Sequence, residues 1–80
     1  MSHEYTQSVE VLEHSYIRQA KTTASDVVSE VEARTRLLAD TAEDSDGDSE
    51  HPRWLPVEYN MGGAGVVHGF IAEELVFEVR

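Results

Sequence analysis

Residues 22–39 read TTASDVVSEVEARTRLLA, and the fold turns on how this stretch is taken. Ala24, Val27, Val28, Val31 and Leu38 recur at helical intervals, with Ala20 or Leu37 extending the row into one apolar stripe. Thr22 or Thr23 can cap the start through its hydroxyl, and Asp26 lies in the first turn, where a carboxylate suits the helix dipole. Arg34 and Arg36 sit nearer the end, where cations do. Ser29, Glu30, Glu32, Arg36 and Asp40 fall on the opposite side, so the stretch predicts an amphipathic helix laid on a sheet.

The flanks are expected to supply that sheet. Residues 5–20, YTQSVEVLEHSYIRQA, carry a helical spacing in Tyr5, Val9, Leu12, Tyr16 and Ala20, but Val9 and Val11 also alternate with Ser8, Glu10 and Leu12. β-Branched and aromatic content favours strand, with Tyr16 and Ile17 marking a bulge or a second short strand. In the last third, Val57 and Tyr59 alternate around Glu58, and Asn60 to Gly65 supply residues that tolerate positive φ in a hairpin turn. Val66 to Ile71 and Leu75 to Val79 then resume the apolar pattern, with Ala72-Glu73-Glu74 as a turn or a single helical turn between them. Leu75, Phe77 and Val79 are expected to face the helix, with Val76, Glu78 and Arg80 outward. The expected fold class is therefore α+β, one amphipathic helix on a small antiparallel β-sheet in the order β-α-β-β-β, with residues 1–80 as a single domain. Trp54, between Pro52 and Pro56, is expected to be a core anchor rather than an exposed contact, because so small a domain can rarely spare its only tryptophan.

Charge is the outstanding chemical feature. Sixteen Asp and Glu against six Lys and Arg leave a formal net charge of −10. Six of those carboxylates lie in DTAEDSDGDSE, residues 40–50, with no base among them. Between Asp40 and Pro52 there is no large apolar residue, so burial cannot offset the entropy of ordering, and residues 40–52 read as a mobile acidic loop. Such a surface repels nucleic acid and anionic membranes and attracts basic protein partners. The absence of cysteine removes thiolate nucleophiles, iron–sulfur clusters and cysteine-ligated zinc from consideration. With a polar, acidic start and no apolar run near the ~20 residues that a membrane span needs, the chain is expected to be soluble and cytoplasmic. A small core without disulfides also makes a homodimer an expectation.

Specific motifs fail in identifiable ways. A calcium loop begun at Asp44 would need glycine at its sixth position and a bidentate carboxylate at its twelfth, and the chain has Ser49 and Leu55 there. Asn60-Met61-Gly62-Gly63-Ala64-Gly65 lacks the spacing and the following Lys or Ser/Thr of a phosphate loop. His3, His14, His51 and His68 are scattered without ligand spacing, and no nucleophile sits in a strained turn. The expectation is a protein without enzyme activity, cofactor or metal.

The closing run VVHGFIAEELVFEVR, Val66 to Arg80, preceded by one expected helix and a glycine-containing hairpin, resembles the end of some small phage anti-CRISPR proteins that act on type I systems. The shared pattern is an apolar strand, then Phe-Ile-x-Glu-x-Leu at residues 70–75, then a short final strand; it covers fifteen of eighty residues. What the resemblance implies is a non-enzymatic inhibitor acting in the host cytoplasm, whose acidic surface occupies a basic nucleic-acid groove on a Cas protein. It makes no direct contact with nucleic acid and none with membrane. The residues it points to are Glu43, Asp44, Asp46, Asp48 and Glu50, then Glu30 and Glu32 on the exposed face of the expected helix. The competing expectation is a small structural or dimerisation domain of a salt-rich cytoplasm, in which the carboxylates keep the surface hydrated.

Overall fold

The computed structural model describes residues 4–41 and 53–79. They form one seven-stranded antiparallel sheet: β1 (Gln7–Val11), β2 (Ser15–Arg18), β3 (Val27–Val31), β4 (Arg36–Ala39), β5 (Trp54–Asn60), β6 (Val66–Ala72) and β7 (Val76–Glu78), in the spatial order β3-β2-β6-β5-β4-β1-β7. The only helical pieces among the described residues are two 3-10 turns, Gly62–Ala64 and Glu73–Leu75. The fold is thus all-β, and the α+β expectation with its β-α-β-β-β order is wrong: residues 22–39 are two strands joined by a turn, not a helix.

The correction has a physical cause in the pairing of this stretch with residues 7–18. Gln7 opposes Ala39 across β1 and β4, and eight residues further on Ser15 opposes Val31, eight residues back, across β2 and β3. The two pairings therefore share one register and form a single long ribbon, interrupted at residues 12–14 and 32–35. Glu, Ala, Arg and Leu give residues 32–38 a helical propensity of tenths of a kcal/mol per residue, which tertiary pairing of valine-rich segments readily overrides. The burial pattern follows period two. Val31 in β3 and Leu37 and Ala39 in β4 are buried, whereas Val27, Val28 and Leu38, three residues of the expected helical stripe, are exposed.

At the interruption the ribbon folds. The Val11 N–H donates to the Thr35 carbonyl (2.9 Å), the Arg34 N–H donates to the Val11 carbonyl (2.7 Å), and the Leu12 N–H leaves the ribbon for the Leu75 carbonyl (2.8 Å). The turn is closed by the Thr35 N–H on the Glu32 carbonyl at 3.2 Å, and it holds Arg34 at φ 70°, a left-handed conformation costly for a residue with a Cβ. Arg34→Gly is therefore expected to be about 1 kcal/mol more stable than Arg34→Ala, two variants that lose the same charge, as read from thermal or urea unfolding.

Folding the ribbon lets its halves straddle the β5–β6 hairpin. β4 pairs with β5 (Leu38 with Glu58, Ala39 with Val57), while β2 pairs with β6 (Arg18 with Phe70). Seven strands laid flat would put β3 and β7 about 29 Å apart. Instead Val31 of β3 and Val76 of β7 belong to one buried cluster with Val9, Val11, Ile17, Leu37, Ala39, Leu55, Val57 and Ile71, so the sheet curls around its own apolar face. Sheet closure, not a covering helix, makes this core.

Local chemistry fits that curl. Gly69 is buried where β2 crosses β6, and a Cβ there would lie 2.5 Å from Ile17 Cγ2 and 2.7 Å from the Arg18 carbonyl oxygen. Pro56 is tolerated within β5 because its carbonyl, which accepts the Asp40 N–H at 3.0 Å, faces β4 just past its last residue; its missing N–H faces the same way. The hairpin tip uses Gly62 (φ 67°) and Gly65 (φ 99°), and the Asn60 side-chain carbonyl accepts the Gly62 N–H at 2.8 Å.

The strand reading of residues 5–20, the turn at Asn60–Gly65 and the helical turn after Ala72 all match the structure. The facing of the last strand does not. Val76 is buried and Phe77 is 44% exposed, because β7 pairs with β1 so that Val11 opposes Val76 and Glu10 opposes Phe77. Trp54 is buried as expected, but with no helix to meet: its neighbour Leu55 points into the main cluster, so the indole lies on the other face, lining a depression with Tyr16, Ala72 and Leu75.

Candidate partner-binding surface

The seven acidic residues singled out by sequence divide between two parts of the chain. Glu43, Asp44, Asp46, Asp48 and Glu50 lie outside the described residues. Glu30 and Glu32 are described and exposed, but the expected helix face is corrected to a strand end: Glu30 is in β3 and Glu32 opens the following turn. Residues two apart on a strand share a face at a separation of about 6.6 Å. Glu32 precedes β4 and Asp40 follows it, so Glu32 and the start of the acidic segment lie at opposite ends of that strand.

Glu30 is not an isolated charge. It opposes Tyr16 across β2 and β3, and its Oε1 lies 2.6 Å from His14 Nε2. The His14 ring packs edge-on against Tyr16 (centroids 5.2 Å apart), and the Arg18 guanidinium stands 5.7 Å from the Tyr16 ring centre. Arg18 also donates to the Ser25 carbonyl at 2.9 Å, which ties the β2–β3 connection to the strand. Glu32, by contrast, enters no ion pair or side-chain hydrogen bond among the described residues. The same holds of the ion-pairing of Glu13, Asp26 and Glu78, all exposed.

The acidic segment joins the domain beside a cavity. Thr41 and Arg53, the described residues on either side of it, line a cavity of about 380 Å³ with Val9, Leu55, Glu73, Val76 and Glu78. Arg53 Nε donates to Glu73 Oε2 at 3.1 Å, and the Glu73 N–H donates to the Arg53 carbonyl at 3.0 Å, so Arg53 is held at the rim by backbone and side chain together. Both groups are about half exposed, so the pair is worth at most about 1 kcal/mol. On the outer face of the sheet, Glu10 lies 3.8 Å from its cross-strand neighbour Arg36, and Glu58 lies 3.6 Å from His68. His68 in turn stacks near Tyr5, with ring centroids 5.0 Å apart.

Sequence reasoning missed two features of this surface. The carboxylate of Glu78 joins the rim through β7, where Glu78 opposes Val9 of β1, and Glu73 joins it beside Arg53. Val27 and Val28, expected in a buried stripe, are both exposed on a strand at the edge of the sheet. The signal was the run Asp26-Val27-Val28-Ser29-Glu30-Val31-Glu32, three β-branched valines without a lysine or proline, but it carries a helical spacing as well.

Among the described residues no three His, Asp or Glu side chains converge as a metal site would require. No helix is long and apolar enough to cross a membrane. Comparison with family models, with curated proteins and with solved structures finds no match to this chain.

Proposed function

We propose that this protein is a non-enzymatic binding protein whose negative surface occupies a basic, nucleic-acid-binding groove of another protein, acting as an inhibitor of anti-CRISPR type on a type I Cas complex. The observation that carries this reading is the unneutralised charge: a chain of −10 in which Glu13, Asp26, Glu32 and Glu78 are exposed and without ion-pair partners among the described residues, and in which residues 40–50 carry six further carboxylates and no base. A Lys/Arg groove selected for phosphates draws affinity from neutralising spaced negative charge and releasing counterions, and carboxylates compete for the same cations. The exposure of Glu30 on the edge strand β3 and of Glu32 at the turn that follows it supports this, since both carboxylates stand at one margin of the sheet.

The test is retention of the tagged chain on a type I surveillance complex, compared with the variant carrying Asp44→Asn, Asp46→Asn and Asp48→Asn. The wild type is expected to be retained at low salt and the variant to be largely lost. Undiminished retention of the variant would remove the acidic segment from the contact. Circular dichroism in dilute buffer separates the solubility reading: a domain adapted to a salt-rich cytoplasm loses structure when salt is withdrawn, whereas an inhibitor from an ordinary host stays folded.

A further inference from the structure

We propose that the outer edge of β3 is the docking site of the partner, taking up an extended segment that bears lysine or arginine and adds to the sheet as a further strand. This deepens the reading of an acidic binder by naming the surface and the form of what it binds. Among the described residues β3 pairs with β2 alone, which leaves its other side at the end of the sheet. The opposite edge is less suited: β7 has three residues and follows directly on the 3-10 turn at Glu73–Leu75.

The side chains of β3 are unusual for an unguarded edge. Ile17 opposes Ser29 while Arg18 opposes Val27, so Val28 is the extra residue of a β-bulge. Val27 is 47% exposed and Val28 37% exposed. Lysine and proline, which commonly blunt an edge, are absent from VVSEV, and the bulge at Val28 is the one such device that the strand carries. An incoming strand would cover the two valines while its backbone pairs with the edge, the mode by which sheets accept peptides.

Charge selects the occupant. Asp26, Glu30 and Glu32 flank or lie on the strand, and no base occurs from Val27 to Ala33. Antiparallel pairing of two copies centred on Ser29 would set Asp26 of each against Glu32 of the other, between chains of −10 apiece. Like charges directly opposite destabilise a strand pair, so the edge disfavours its own copy and favours a cationic strand.

The probe is a fluorescein-labelled eight-residue peptide of alternating lysine and valine, titrated into the full chain at low salt and followed by anisotropy. Two variants carry the same added charge on equally exposed residues: Val28→Lys on the edge and Leu38→Lys on the outer face of the interior strand β4. Val28→Lys is expected to weaken binding about tenfold more than Leu38→Lys. In the wild type the peptide is expected to slow amide exchange at Glu30, whose N–H faces away from β2 because its neighbours Ser29 and Val31 pair with Ile17 and Ser15, a readout that does not depend on any variant folding. Equal weakening by both variants, or exchange slowed elsewhere only, would overturn the β3 site and leave the acidic reading standing. No binding at all would overturn both. A dimer in sedimentation with β3 already protected would show that a second copy takes the edge, and would overturn the proposal of a cationic partner strand.

Discussion

Alanine at position 69 is expected to remove a large part of the stability of this domain. The added Cβ would sit 2.5 Å from Ile17 Cγ2 and 2.7 Å from the Arg18 carbonyl oxygen, both inside the 3.0 Å that real Cβ contacts essentially never cross. Neither neighbour can step aside cheaply. Ile17 is fully buried and β-branched, with few rotamers open to it, and the carbonyl belongs to the backbone of β2. Relief therefore requires β2 to move off β6, and Arg18 opposite Phe70 is the pairing that joins those two strands. Overpacking of this kind costs about 1–3 kcal/mol and sometimes more, against a total of about 5 kcal/mol for a small domain. Urea unfolding should show the loss as a large fall in midpoint. The double variant Gly69→Ala, Ile17→Ala should not recover it, because the clash with the Arg18 carbonyl stays and the truncated Ile17 itself costs about 2–5 kcal/mol. A Gly69→Ala protein as stable as the wild type would mean that β2 does not run this close to β6, and the closure of the sheet would need another explanation.

That closure was the part of the fold least legible in the sequence. The hairpin between β5 and β6 could be read from Asn60 to Gly65, because positive φ and an asparagine turn are local chemistry. A second short strand was legible as one of two readings of Tyr16 and Ile17, the other being a bulge, and β2 takes the first. Residues 22–39 misled because Val27, Val28 and Val31 satisfy a helical spacing, while what decides their conformation is a register with residues 7–18 that no window of eighteen residues contains. The parity of β7 failed for a similar reason: three residues after a 3-10 turn take their facing from Val11 and Glu10, far away in sequence.

The candidate site was legible only in its charge. The excess of carboxylates and its concentration at residues 40–50 are compositional facts. That Glu30 meets His14, sixteen residues away, and that Val27 and Val28 lie uncovered on a sheet edge, depend on which strands become neighbours. An acidic chain read as a helix offers a charged face; read as a curled sheet, it offers an edge as well.

Salt should act on binding far more strongly than on folding. Contact through several carboxylates and a lysine-rich groove is long-ranged in dilute buffer and screened within about 8 Å at physiological ionic strength. A nucleic-acid ligand making 6–10 phosphate contacts loses about 10³–10⁵ in affinity between 50 and 200 mM salt. A protein with six carboxylates in one segment, lacking the condensed counterions of a duplex, should lose less, about ten- to a hundredfold over the same range. The core of Val9, Ile17, Val57 and Ile71 is indifferent to ions, so the unfolding midpoint should move little.

The decisive measurement is the affinity for a type I surveillance complex across that salt range, taken for the wild type and for a chain with Asp44, Asp46 and Asp48 replaced by asparagine. The account predicts a steep fall with salt for the wild type, and for the variant a weaker affinity with a shallower slope. Affinities that are equal for the two chains and flat across salt would contradict it.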